Sequence, residues 1–94
     1  ETLRKAKILS NKSRLEKDPA EAVRLAQEAC QLTDYGQSSY VAQLAVGQYN
    51  SGDYAEAVHS IEKAWKLVES WPDCEHKSEI AQHRRFDRKA AAKK

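Results

Sequence analysis

Arg4, Lys7, Asn11 and Arg14 set three cations and an amide along the first stretch of the chain. Positions 4, 7, 11 and 14 keep the 3-4-3 rhythm of one helical face. An arginine can fork a carboxylate, and an amide side chain can hold a peptide backbone in register. The chemistry on offer is therefore binding of an acidic or extended peptide, and the ordinary alternative is a solvated basic face. The remaining reactive residues do less. Cys74, His76 and His83 include two histidines seven apart, on one helix face, but three ligands with no fourth and no standard zinc spacing do not define a metal site. Cys30 follows Ala22, Ala26 and Ala29 on a small-residue face, where a structural thiol is expected. His59 has no partner nearby in sequence. No Ser, Cys or His stands with a base and an orienting group, and no glycine belongs to a phosphate-cradling loop. The acidic residues gather at helix starts, where the helix dipole accounts for them. The expectation is a protein that is not an enzyme and takes no cofactor or metal.

Ninety-four residues make one domain with a small core. With 40% hydrophobic and 32% charged residues, the composition is neither that of a membrane-embedded chain nor that of a disordered one. No run of 18 apolar residues occurs. No signal peptide is visible, and Glu1 in place of Met points to a processed or excised piece. The net charge of +2 conceals an asymmetry. Residues 1–75 hold nine Lys/Arg against twelve Asp/Glu, and residues 76–94 hold seven against two. The basic character belongs to the tail. Two isolated cysteines form no disulfide framework, which agrees with a cytoplasmic address without fixing the compartment.

The elements that must position these side chains are announced by a repeat. Asp18–Leu32 (DPAEAVRLAQEACQL) is written again 35 residues later as Asp53–Leu67 (DYAEAVHSIEKAWKL). A fixed offset of that size marks a repeat architecture. The pattern predicts five helices. The first spans about Thr2 to Glu16, with Leu3, Ala6, Ile8, Leu9 and Leu15 as a thin apolar stripe. The second opens on Asp18-Pro19 with Glu21 completing a capping box. The third begins at Ser38 or Ser39 as cap and ends at Gly52, and Thr33–Gln37 is a loop. The fourth is capped by Asp53 and halted by Trp71-Pro72-Asp73. The fifth begins after Asp73 and fades after Lys89, with Ile80, His83 and Phe86 as a sparse apolar stripe.

Leu44-Ala45, Gly52-Asp53-Tyr54, Ala57, Ile61 and Ala64 stand where signature residues of the tetratricopeptide repeat would stand, and the chain resembles that family over about residues 2–86. In the first repeat the second helix agrees, whereas Lys17 replaces the usual glycine and Ser10 the small residue of the first helix. The resemblance implies an all-α fold, a short right-handed superhelical solenoid of antiparallel helix pairs. Repeat one covers about 2–33, repeat two about 38–70 and a capping helix about 74–88, together a domain of residues 1–88 followed by a basic tail, 89–94. Two repeats with a cap are short for an array whose units stabilise one another through their neighbours. A longer parent array or a dimer would supply the missing contacts.

The same resemblance implies that the first helix of each pair lines a concave groove. Carried over position by position, the partner-binding residues are Arg4, Lys7, Asn11 and Arg14 on the first helix and Ser39, Gln43, Tyr49 and Asn50 on the third, with Val46 among them. Lys7 and Asn11 also match part of the clamp with which some members hold the C-terminal carboxylate of heat-shock chaperones. Gln43 replaces the second asparagine of that clamp, and the fifth helix lacks its closing lysine-arginine pair. The expected function is a protein–protein interaction module whose groove takes a peptide or partner segment, an acidic one for preference. One alternative is a self-assembly element forming a homodimer, anchored by Trp65 or Trp71. Another is a non-catalytic accessory tail of a larger protein such as a membrane-bound transferase, because EAVRLAQEACQLT is similar to repeat tails of larger bacterial proteins. Nucleic acid or an anionic membrane at Arg84-Arg85 through Lys94 is the weaker reading. The tail has clustered cations but only Phe86 as an aromatic, and no broad apolar face.

Overall fold

The computed structural model describes residues 2–92, with side chains from residue 4 onward. Leu3, which the sequence counts in the first apolar stripe, and Lys93 and Lys94 of the tail lie outside the described side chains. Five helices follow in order: α1 (Thr2–Leu15), α2 (Pro19–Leu32), α3 (Ser38–Asn50), α4 (Tyr54–Val68) and α5 (Glu75–Ala92). No strand occurs among the described residues. No described helix is long and apolar enough to cross a membrane. Each helix packs against the next, and α1 also touches α3, as α3 touches α5. Among the described residues no Cα of α2 comes within 8 Å of one in α4, and the two helices share only side chains of the common core. The odd-numbered helices thus draw together on one side while the even-numbered ones spread on the other. The thin dimension, 19 Å, accommodates two helix layers spaced about 8–10 Å apart. The radius of gyration, 12.5 Å, is that of a compact domain of this length, for which about 12 Å is usual.

The helix ends show which signals in the sequence the backbone used. Asp18 caps α2, its carboxylate accepting the Ala20 N–H at 3.2 Å, and Pro19 occupies the first turn. Glu21 does not complete the box. It turns to Arg24 as an ion pair, and the Asp18 N–H goes instead to the Glu16 carboxylate at 3.2 Å. Asp53 makes no side-chain capping bond, because its backbone (φ −90°, ψ 70°) departs from the extended geometry that aims a cap at the first amides. Neither Ser38 nor Ser39 caps α3. Gln37 holds that position without a side-chain bond, and the Ser38 hydroxyl meets His76 Nε2 at 2.8 Å.

The C-termini of α2 and α3 close with one device. After α3 the Asp53 N–H reaches the Gln48 carbonyl at 2.9 Å and the Gly52 N–H the Tyr49 carbonyl at 3.0 Å. After α2 the Tyr35 N–H reaches the Cys30 carbonyl at 2.8 Å and the Asp34 N–H the Gln31 carbonyl at 3.2 Å. Both are Schellman closures, which place one residue in the left-handed region. Gly52 does so freely at φ 86°, whereas Asp34 and Tyr35 do so at 54° and 58° with side chains attached. Helix α5 runs on to Ala92, past residue 88, where the sequence ends the domain and begins the tail at 89.

The core is made largely of small residues. Ala6, Ala22, Ala26, Ala29, Ala45, Ala57 and Ala64 are all buried, which lets the backbones approach. At Gly47 a Cβ would stand 3.2 Å from Val23 Cγ2, so α3 lies close on α2 there. Val41, Leu44, Ile61, Val68 and Ile80 fill the middle. Two buried hydroxyls are satisfied across helices, Ser13 donating to the Ala22 carbonyl and Ser60 to Gln48 Oε1, both at 2.6 Å. Outside the core, Glu62 of α4 holds Arg84 and Arg88 of α5, and Arg84 also lies over the half-buried Trp65 ring at 5.4 Å. The Arg84 hydrogen bond in particular keeps the Glu62 carboxyl below its ordinary range.

Candidate partner-binding groove

On the side where α1, α3 and α5 draw together, three hollows adjoin. The first, about 380 Å³, lies between the end of α1 and α3 and is lined by Arg14, Lys17, Gln43, Val46 and Asn50 among others. The second, about 320 Å³, joins all three helices through Arg14, Ser39, Gln43, His76, Glu79 and His83. The third, about 210 Å³, lies between α3 and α5. Val46 lines all three, Arg14 and Gln43 line the first two, and Asn50 lines the first and third. They therefore form one continuous depression.

Helix periodicity explains the alignment. Ser39, Gln43, Val46 and Asn50 climb α3 in steps of four, three and four, and Tyr49 flanks them. Val41, Leu44, Ala45 and Gln48 fill the opposite, buried side. On α5, His76, Glu79, His83 and Phe86 advance by three and four beside the buried Ile80.

Five of the eight residues expected from the sequence line these hollows: Arg14, Ser39, Gln43, Tyr49 and Asn50. Arg4, Lys7 and Asn11 are exposed and line none of the three. Lys7 lies two turns, roughly 10 Å, along α1 from Arg14. Arg4 and Asn11 sit on the face that also carries Ile8 and Leu15, opposite the buried Ala6 and Ser13. Asn11 reaches the hollows only by accepting a hydrogen bond from Arg14 at 3.3 Å. The 3-4-3 rhythm is thus a helical face, yet only its last member meets the third helix.

Helix α5 supplies what the sequence reading missed: His76, Glu79 and Asp87. Phe86, expected on an inward apolar stripe, is 58% exposed, and Asp87 takes the inward position at 2%. The phase of the helix decides this, because residue 87 is two full turns from Ile80 and residue 86 is one short. That seven-residue step from Ile80 was the available signal. Burial pushes the Asp87 carboxyl above its ordinary range, and His83 draws it partly back.

The groove is mixed in charge. Arg14 and Lys17 stand with Glu16 at the α1 side, and Glu79 and Asp87 on α5. The Cys74, His76 and His83 triplet does not converge, and no group of three or more metal-type ligands occurs among the described residues. His76 is engaged with Ser38, and its ring lies 5.9 Å from that of Trp71. Cys30 is buried, and burial pushes its thiol up to about 11. No family model, curated protein or solved structure matches this chain.

Proposed function

We propose that the chain is a protein–protein interaction module of the tetratricopeptide kind. Two helix pairs and a closing helix form a short right-handed solenoid, and a partner segment lies along the depression on α1, α3 and α5. The observation that carries this reading is the continuity of the three hollows through Arg14, Gln43, Val46 and Asn50. A depression about three helices wide, rimmed by amides and charges over an apolar floor, suits an extended segment with side chains on alternate faces. Arg14 takes an acidic group of that segment, Gln43 and Asn50 take its backbone, and Tyr49 gives an aromatic wall.

The test is a peptide-array screen read in parallel with Arg14→Ala, Gln43→Ala and, on the outer face of α4, Lys63→Ala. Peptides that bind the parent protein lose affinity with the first two substitutions and keep it with the third. Equal binding by all four proteins would remove the groove from consideration. Arg4→Ala and Lys7→Ala have smaller effects than Arg14→Ala, because neither side chain lines these hollows.

A second reading, self-assembly, has its own observation. Ile8 and Leu15 are 49% and 78% exposed, seven residues apart on the outer face of α1. Two such faces laid together would cover them. Sedimentation across a hundredfold concentration range tests it. A mass that rises with concentration in the parent and stays monomeric in Ile8→Lys/Leu15→Lys supports self-assembly, and a constant monomer removes it.

A further inference from the structure

We propose that the α3–α5 end of the groove is a subsite for one long basic side chain of the partner, arginine or lysine, with Asp87 as its counter-ion. This rests on the groove reading above and adds the chemistry of one position to it. Among the described residues the Asp87 side chain makes no hydrogen bond and no ion pair; the residue is only 2% exposed, and its carboxylate opens to the hollow it lines rather than being sealed in the core. Buried carboxylates normally hold a cation or several N–H donors, because loss of hydration is otherwise uncompensated. Arg84 and Arg88 of the same helix are engaged elsewhere, both on Glu62, and the exposed Arg85 does not line the hollow.

The rest of the hollow fits a chain with an apolar stem and a charged head. Val46, Tyr49 and Phe86 line it with aliphatic and aromatic surface, and Asn50, whose amide oxygen can accept a hydrogen bond, lines it with Asp87. The Tyr49 ring is steadied by Tyr54, with ring centroids 5.1 Å apart. Aromatic faces attract ammonium and guanidinium groups and pack their methylene stems. A guanidinium can in addition fork the carboxylate and the Asn50 carbonyl together. A metal ion fits poorly, since among the described residues Asp87 is the only carboxylate lining the hollow and His83 the only imidazole. An acidic segment entering at Arg14 would, on this reading, carry a basic residue toward its other end.

The test uses N-acetyl-arginine amide and its neutral isostere N-acetyl-citrulline amide, titrated by 1H–15N NMR into the full chain and into Asp87→Asn. The arginine probe shifts the amides of Val46, Asn50 and Asp87 and the Asn50 side-chain NH2, at millimolar concentration and less at high salt. Citrulline binds at least tenfold more weakly, and Asp87→Asn removes the difference between the probes. Asp87→Asn keeps the fold, because it deletes a buried charge and leaves the shape. Equal binding of the two probes, or shifts that ignore Asp87→Asn, would overturn the subsite. Array peptides whose binding depends on Arg14 but not on Asp87 would likewise overturn it and leave the groove standing. Arginine-probe binding at Asp87 with no peptide captured anywhere would instead count against the groove.

Discussion

Replacing Ile80 with alanine tests how the groove keeps its third wall. Ile80 is 1% exposed and, with Asp87, accounts for the buried residues of α5. The helix is otherwise polar, so its attachment leans on one aliphatic side chain set among Val41, Leu44, Ile61 and Val68. Ile80→Ala removes three carbons, worth about 2.5 kcal/mol at ~0.8 kcal/mol for each buried methylene. If roughly 50 Å³ of the vacated space persists, the cavity adds about 1 kcal/mol at ~24 cal/mol per Å³. The sum, about 3.5 kcal/mol, compares with a stability of roughly 5–14 kcal/mol expected for a domain of this size. At about 4–8 °C for each kcal/mol, the Tm falls by roughly 15–25 °C. Urea unfolding followed by circular dichroism measures the loss, and native-state hydrogen exchange locates it. Exchange in residues 75–92 accelerates more than in α2, α3 or α4, because α5 packs chiefly on α4. Ile80→Val loses about 1 kcal/mol, giving a graded series. A loss below about 1 kcal/mol for Ile80→Ala, or exchange that accelerates uniformly, would refute the claim that this side chain anchors the helix.

Asp34→Gly should raise stability by about 0.5–1 kcal/mol, because it relieves a side chain at φ 54° while keeping the turn that Gly52 already makes elsewhere; urea midpoints at constant m-value measure it. Cys74 should react with a thiol reagent at pH 8 at the rate of a free cysteine, whereas Cys30, buried with its thiol pushed up to about 11, should react only as the protein unfolds. The Arg84 hydrogen bond holds the folded Glu62 carboxyl below its ordinary range, so its contribution is present above the unfolded value and is lost as pH falls through the lowered folded value. Glu62→Gln should therefore flatten the acid limb of the stability–pH curve, and an unchanged limb would assign that limb to other carboxylates.

The helices were legible because their punctuation is strong. Asp18-Pro19 fixed the start of α2, Gly52 the end of α3, and the 35-residue echo tied the second pair to the first. Caps written in the same letters were used differently: Asp18 reaches an amide and Asp53 does not, a matter of one backbone ψ that no residue type reports. Within the groove, α3 was readable since Ser39, Gln43 and Asn50 follow helical spacing across from a clear apolar face. Helix α5 was not. Its basic composition masks the fact that Asp87 rather than Phe86 shares the phase of Ile80. Arg4, Lys7 and Asn11 were placed by helical periodicity and by the family resemblance, and neither gives the length over which a neighbour runs beside the helix.

The order of contacts along the chain has a kinetic meaning. Every helix packs on its successor, and the longest-range pairings, α1 with α3 and α3 with α5, skip only one element. Ordering such a chain requires no large loop to close before contacts form, so search entropy is small and low contact order favours rapid folding, on the micro- to millisecond scale. Helix α3, which touches all four others, is the natural seed. The two outer walls of the groove, α1 and α5, each lean mainly on one neighbour, so their opening is expected to need the fewest contacts broken.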